Sequence, residues 1–288
     1  MAKLKLRALQ ILVGVVTLLV WHVAATTPLF GEVKTIQFFF STPFNVAERI
    51  VKIFAGGTAQ VLACKQPLLS AQLMRINDPC FGGTIWQHLS FTLTETLLAF
   101  AIGAAAGIAV GFWFARKPLV AAVFDPYLKM INALPRVVLA PIFMLWLGLG
   151  IWSKVLLGVT LVFFIVFFNV YQGVKEVSPT VLANARMLGM SEHQLFRHVY
   201  WPSALSWMFS SLHTSVGFAL VGAVVGEYLG AAAGLGYLIQ EAEGAFDVTG
   251  VFAGMAILSA FVLLIDWLVT LAENRLLSWR PQSAAGQV

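Results

Sequence analysis

From Leu89 to Ala115 the chain carries a single charged residue, Glu95. A helix needs about 20 apolar residues to cross the hydrocarbon core of a bilayer, and this run exceeds that. Five more follow the same pattern: Ala8–Ala24, Met130–Leu149, Val155–Tyr171, Leu205–Leu229 and Val251–Leu271. In lipid no water satisfies a free backbone N–H or C=O, so each run is expected to cross as a helix that closes its own hydrogen bonds. Composition agrees: 59% of the residues are hydrophobic, 11% charged, and the mean hydropathy is +0.86. Soluble domains carry about a quarter charged residues. The expected fold is an all-α integral membrane protein of six spans.

Lys and Arg between the runs set the expected orientation. Lys3, Lys5 and Arg7 precede the first run, and Arg116, Lys117 and Lys129 separate the second from the third. Lys175, Arg186 and Arg197 lie between the fourth and fifth, and Arg275 and Arg280 follow the sixth. The segment 230–250 holds Glu241, Glu243 and Asp247 with no Lys or Arg. Both termini are therefore expected in the cytoplasm. The parts are a first span over 1–25, an external loop over 26–88, a core over 89–275 containing a cytoplasmic loop at 175–204, and a cytoplasmic tail over 276–288. Val23 and Ala25 also resemble a signal-peptide cleavage site; the uncleaved span is the preferred reading.

In the external loop, "NVAERIVKIFAGG" predicts a short helix capped by Asn45, with Glu48 three residues on and Gly56 to stop it. Cys64 and Cys80 fall in the same loop. Outside the cytoplasm they either form a disulfide or remain free thiols; the disulfide is preferred. It would close a loop of about 17 residues and contribute about 3 kcal/mol. Gly103, Gly107 and Gly111, and Gly222, Gly226, Gly230 and Gly234, recur every four residues. Such stripes let helices approach closely, either within one subunit or at a seam between two.

Ionisable groups at membrane depth are costly and point to function. Glu95, Arg136, His213 and Glu227 are the candidates for a translocation path. Arg136 stands between Pro135 and Pro141, where a regular helix interior is excluded. Arg136 and His213 would suit an anionic solute; pairing of Arg136 with a carboxylate on another helix is the alternative. His213 and Glu227 are 14 residues apart and share a helix face. Asp125 and Asp266 are expected to be solvated at the cytoplasmic ends.

The polar strip "NARMLGMSEHQLFRHVYWPSA", residues 184–204, lies between the fourth and fifth runs. Ser178 and Pro179 predict a helix start and Gly189 its end. Ser191 and Gln194 form the capping box of a second helix, with Pro202 expected to end it. Val181, Leu182, Ala185 and Leu188 make one apolar stripe; Leu195, Phe196 and Val199 make the other. Three basic residues against two acidic ones between 175 and 200 do not make a DNA-reading surface, so no nucleic-acid partner is expected. His193 and His198 lack the spacing for a shared metal. The strip is read as a docking element for a cytoplasmic protein, with an amphipathic loop lying on the bilayer surface as the alternative.

This strip resembles the cytoplasmic loop signature of ABC-transporter permeases of the binding-protein-dependent import type. Ala185, Gly189 and Pro202 match that signature, and Val199 stands for its Ile. Ala183, Asn184 and Trp201 replace its Glu, Ala and Leu. "LAPIFMLWLGLGIWSKV", "VVGEYLGAAAGLGYLI" and "LLSWRP" extend the resemblance over about residues 85–281, toward the nitrate, sulfonate and taurine branch. Glu95 and His213 stand where that branch commonly has Arg, and 58–83 looks like an insertion. The resemblance implies a permease subunit of the bacterial inner membrane, not itself an enzyme. It implies cytoplasmic ATPase partners, a periplasmic solute-binding protein and a second permease copy, commonly identical. Ala185, Gly189, Ser191, Glu192, Arg197 and Pro202 would then form the ATPase-coupling element. The chain has no G-x-x-x-x-G-K-[ST] loop of its own. It is expected to bind no cofactor, ATP and Mg being used by the partner. An ion- or proton-coupled secondary transporter, relaying through Glu95, Glu227 and His213, is the alternative. A membrane enzyme is disfavoured because no nucleophile–base pair, carboxylate pair or metal cluster shares one depth.

Overall fold

The computed structural model describes residues 2–28, 32–63 and 81–276, and among these every regular element is helical. In chain order they are α1 (Ala2–Thr26), α2 (Val33–Phe40), α3 (Pro43–Ala63), α4 (Ile85–Arg116), α5 (Pro118–Ala133), α6 (Leu139–Leu147), α7 (Ile151–Lys175), α8 (Pro179–Met187), α9 (Glu192–Leu195), α10 (Trp201–Gly230), α11 (Leu235–Gly244) and α12 (Val248–Leu276). Five helices are long and apolar enough to cross a membrane, or six if one bent pair counts as a span. At about 1.5 Å per residue α4, with 32 residues, runs about 48 Å, well beyond a hydrocarbon core of about 30 Å.

The bent pair is the expected third span, Met130–Leu149, which is not one straight helix. Its first half begins earlier, at Pro118, and α5 and α6 meet at 77°. Pro135 bars its predecessor from helical geometry, and Leu134 accordingly has ψ 135°. A tight turn over Arg136–Val138 then leads into α6. Pro141 is the third residue of α6, where no intrahelical N–H is required.

The chain divides into two compact units, Met1–Phe91 with Ala231–Ser259 and Thr92–Gly230 with Ala260–Val288. In the first, Trp21 packs tilted against Phe252 with ring centroids 5.4 Å apart, Ser41 hydrogen-bonds Thr249 at 2.9 Å, and Arg49 pairs with Asp247 at 2.9 Å. The α3 helix differs from expectation at both ends. Thr42 Oγ1, not Asn45, accepts the first-turn N–H, and Glu48 pairs with Lys52 instead of reaching back. The helix also runs through Gly56 and Gly57 to Ala63. A Cβ on Gly57 would lie 3.1 Å from Ile85 Cγ2, so that glycine serves close packing rather than termination. Cys64 and Cys80, with the expected disulfide, lie outside the described residues.

In the second unit α7 is the central helix, packed along α10 and faced by α4 and α6. Ala99, Val155, Val162, Val166, Val170, Ala204, Met208 and Ala219 form its buried core. The glycine stripes pack inside this unit. A Cβ at Gly103, Gly107 or Gly111 would lie within about 3 Å of Val162, Val166 or Val170 on α7. On α10, Gly222 meets Gly158, Gly226 meets Lys154 and Gly230 meets Met144 and Leu149. Of the two sequence readings for these stripes, the structure supports packing within one subunit.

Candidate functional site: a hinged helix pair and a buried ion cluster

Ser178 precedes α8 and Pro179 is its first residue. At the other end the Gly189 N–H donates to Arg186 O at 2.9 Å and the Met190 N–H to Ala185 O at 3.2 Å. These two bonds close a Schellman turn around a left-handed residue, and Gly189 has φ +79°. Two residues on, Ser191 and Gln194 exchange both capping-box hydrogen bonds. Ala185 and Leu195 are buried, which anchors each short helix to the rest of the unit. The expected stripe on α8 is only partly covered: Val181 is 49% and Leu188 79% exposed, and the neighbouring Met187 is also 79% exposed. These side chains form an exposed apolar knob at the helix hinge.

Pro202 does not end the second helix. The chain passes from α9 through one π turn, Phe196–Tyr200, directly into α10, with the Trp201 N–H donating to Phe196 O. Proline has no N–H to give the preceding turn, and a widened turn accommodates that loss. The hinge at Gly189 is therefore joined by continuous helix from Glu192 to Gly230. Glu192 lies 3.9 Å from both Arg116 and Arg186, linking α9 to the ends of α4 and α8, while Arg197 is exposed.

The four residues proposed for a path separate into three places. Glu95 and Glu227 are each 1% exposed and meet side chain to side chain, so two carboxyl groups do come together, contrary to the sequence expectation, and the Thr92 hydroxyl donates to Glu227 Oε1 at 2.6 Å. Lys154 joins them electrostatically and is only 3% exposed. Its ammonium donates to Gly150 O at 3.0 Å and to Leu149 O, and its stem lies against Gly226. His213 lies elsewhere on α10, about 21 Å along the axis from Glu227, and pairs with Asp266 at 3.1 Å. Asp266 is thus paired rather than merely solvated, and Asp125 pairs with Lys129 at 2.6 Å. Arg136 is held by Asn132 and lies over the Phe164 ring at 5.2 Å. These partners are an amide and an aromatic face instead of the carboxylate considered from the sequence.

Lys154 was missed because it sits one residue outside an apolar run and so reads as a flank. The available signal was its isolation, since no other charged residue lies between Arg136 and Lys175. Truncating one partner of a buried charge cluster costs about 3–5 kcal/mol. Lys154→Met is accordingly expected to lower the thermal midpoint of detergent-solubilised protein by roughly 5 °C or more. Glu192→Gln, at an exposed and loosely paired position, is the control expected to stay within roughly 1 °C.

Residues 103–278 match the family described as binding-protein-dependent transport system inner membrane component. The chain is 31% identical over 225 residues to the putative aliphatic sulfonates transport permease protein SsuC of Bacillus subtilis, covering 78% of this chain and 82% of that protein. To the formylaminopyrimidine transport permease protein ThiX of Halalkalibacterium halodurans it is 39% identical over 202 residues, 67% of this chain and 80% of that one. To the taurine transport system permease protein TauC of Escherichia coli it is 28% identical over 264 residues, covering 92% and 86%. Among solved structures, the inward-facing MetNI methionine ABC transporter shares the fold, with TM-score 0.52, 16% identity and coverage of 67% of this chain and 92% of that one.

Proposed function

Since the chain belongs to the inner-membrane permeases of binding-protein-dependent ABC importers, we propose that it couples ATP hydrolysis on a partner subunit to import of a small anionic solute of the sulfonate or taurine kind. As an inner-membrane component it is a transport subunit, not an enzyme. The observation that carries the coupling role is the hinged helix pair. Its apolar tip, Met187 and Leu188, is exposed, while its far side continues as one helix into a membrane span. A push on the tip thus reaches the span through a single short turn, Leu188–Ser191.

ATP and Mg belong to the ATPase in this reading, and both termini and the hinge face the cytoplasm. A second copy of the chain completes the pore, and a periplasmic binding protein delivers the solute. The names SsuC and TauC favour a sulfonate, and Arg136 is the candidate cation to attract one. ThiX, named for formylaminopyrimidine, marks the competing uncharged class. The test is calorimetry on the binding protein encoded beside this chain, followed by uptake into proteoliposomes. Tight binding of a sulfonate and ATP-dependent uptake are expected. Binding of an uncharged compound alone overturns the anionic assignment, and uptake that persists without ATPase subunits overturns the coupling. Arg136→Ala is expected to reduce uptake at least roughly tenfold in a complex that still assembles, the loss of one charge-assisted contact of about 1.5–3 kcal/mol.

A further inference from the structure

A cavity of about 950 Å³ opens where α4 ends and α5 begins, bounded on its other side by α8, α9 and the π turn. One part of its lining is aromatic and aliphatic. Phe112 is buried and stacks on Trp201 at 5.3 Å, while Trp113 is 53% exposed on the outer face of α4. The other part is cationic: Arg116, Lys117 and Arg186 line the cavity against a single carboxylate, Glu192. Glu192 sits at 3.9 Å from both arginines, a distance that leaves their N–H groups capacity for a stronger acceptor. Arg116 is further fixed over the Phe196 ring at 5.7 Å. Lys117, at the start of α5, makes no capping hydrogen bond with its side chain.

Position selects the ligand. Arg116 is the last residue of a long apolar helix, so the cationic part lies where that helix leaves the hydrocarbon and the aromatic part just within it. Tryptophan and tyrosine favour that boundary, and basic pockets between spans on the cytoplasmic side hold anionic head groups. We propose that the cavity binds one anionic phospholipid, its phosphate between Arg116, Lys117 and Arg186 and an acyl chain along Trp113 and Ile108. It rests on the cytoplasmic orientation proposed above. Because the site joins the end of α4 to both helices of the hinge, the bound lipid would brace the coupling element against the membrane.

The test uses the complete transporter, permease with its ATPase, in nanodiscs of phosphatidylcholine with or without phosphatidylglycerol, read by native mass spectrometry. Wild type is expected to retain phosphatidylglycerol under activation that strips phosphatidylcholine. At about fivefold per lost cation, Lys117→Gln should reduce retention about fivefold and Arg116→Gln with Arg186→Gln about twenty-five-fold. The corresponding Arg→Lys pair should keep most of it. Equal retention in wild type and Lys117→Gln overturns the proposal, as does displacement of the lipid by inorganic phosphate. Retention only when the ATPase is absent assigns the cavity to that subunit and overturns it too. The orientation is read separately by labelling Lys117→Cys: labelling only from outside the cell refutes the orientation whatever the lipid count.

Discussion

Gly222→Ala is expected to abolish recovery of folded protein, whereas Gly217→Ala, five residues earlier on the same helix, leaves recovery unchanged. At position 222 an added Cβ would stand 2.4 Å from Gly158 Cα and 2.7 Å from its nitrogen. Both obstacles are backbone, so no rotamer change relieves the contact and α7 and α10 must separate. In an ordinary core one extra methyl group costs about 1–3 kcal/mol because neighbouring side chains shift. Here the loss extends along the whole helix pair, which carries the buried core and the Glu95–Glu227–Lys154 cluster. At Gly217 nothing lies within 4 Å of the new atom. Size-exclusion chromatography of detergent extracts checks both variants. A monodisperse Gly222→Ala peak of wild-type height would show that the crossing is looser than this geometry. Gly158→Ala probes the other face of α7, its contact with α4, where the new Cβ would lie 2.6 Å from Ala99 Cβ. That obstacle is a side chain, so adding Ala99→Gly should restore part of the yield.

The contrast between these glycines explains what the sequence could and could not reveal. Repetition every four residues marks a face along which something packs closely, but not what packs there, since the partner is far away in the chain. Caps are different: Ser191 with Gln194 and the left-handed Gly189 depend on neighbours a few residues away, and the sequence reading found them. Local chemistry misled at Pro202 and Gly56. A proline can be absorbed by one π turn, and a helix can run on through Gly56 into Gly57, where Ile85 needs the space. The buried charges show the same division. Glu95 and Glu227 are conspicuous in apolar runs, but their meeting with Lys154 depends on the packing of α4, α7 and α10. No residue spacing encodes that.

Gly189→Val is expected to uncouple transport without harming insertion, and Gly189→Asn to preserve it. The Cβ of any replacement meets open space, so the effect is purely conformational. With φ at +79°, a β-branched residue pays about 1–2 kcal/mol or more to hold the turn, while asparagine tolerates the left-handed region. Valine should therefore release the two bonds that close α8, to Arg186 O and Ala185 O, and let the apolar tip lose its fixed angle to α9. The buried anchors Ala185 and Leu195, and all of α10, are untouched, so the chain should still reach the membrane. In proteoliposomes containing ATPase and binding protein, the valine variant should lose roughly tenfold or more of solute-stimulated uptake, the equivalent of about 1.4 kcal/mol. Asparagine should stay within roughly twofold, about 0.4 kcal/mol on the same scale. Leu188→Asp separates shape from contact, since it keeps the turn but puts a charge on a side chain that is 79% exposed. If an ATPase groove covers that tip, Leu188→Asp must uncouple as strongly as valine does. Full coupling in both variants would remove the hinge from the mechanism and return α8 and α9 to the role of a surface loop.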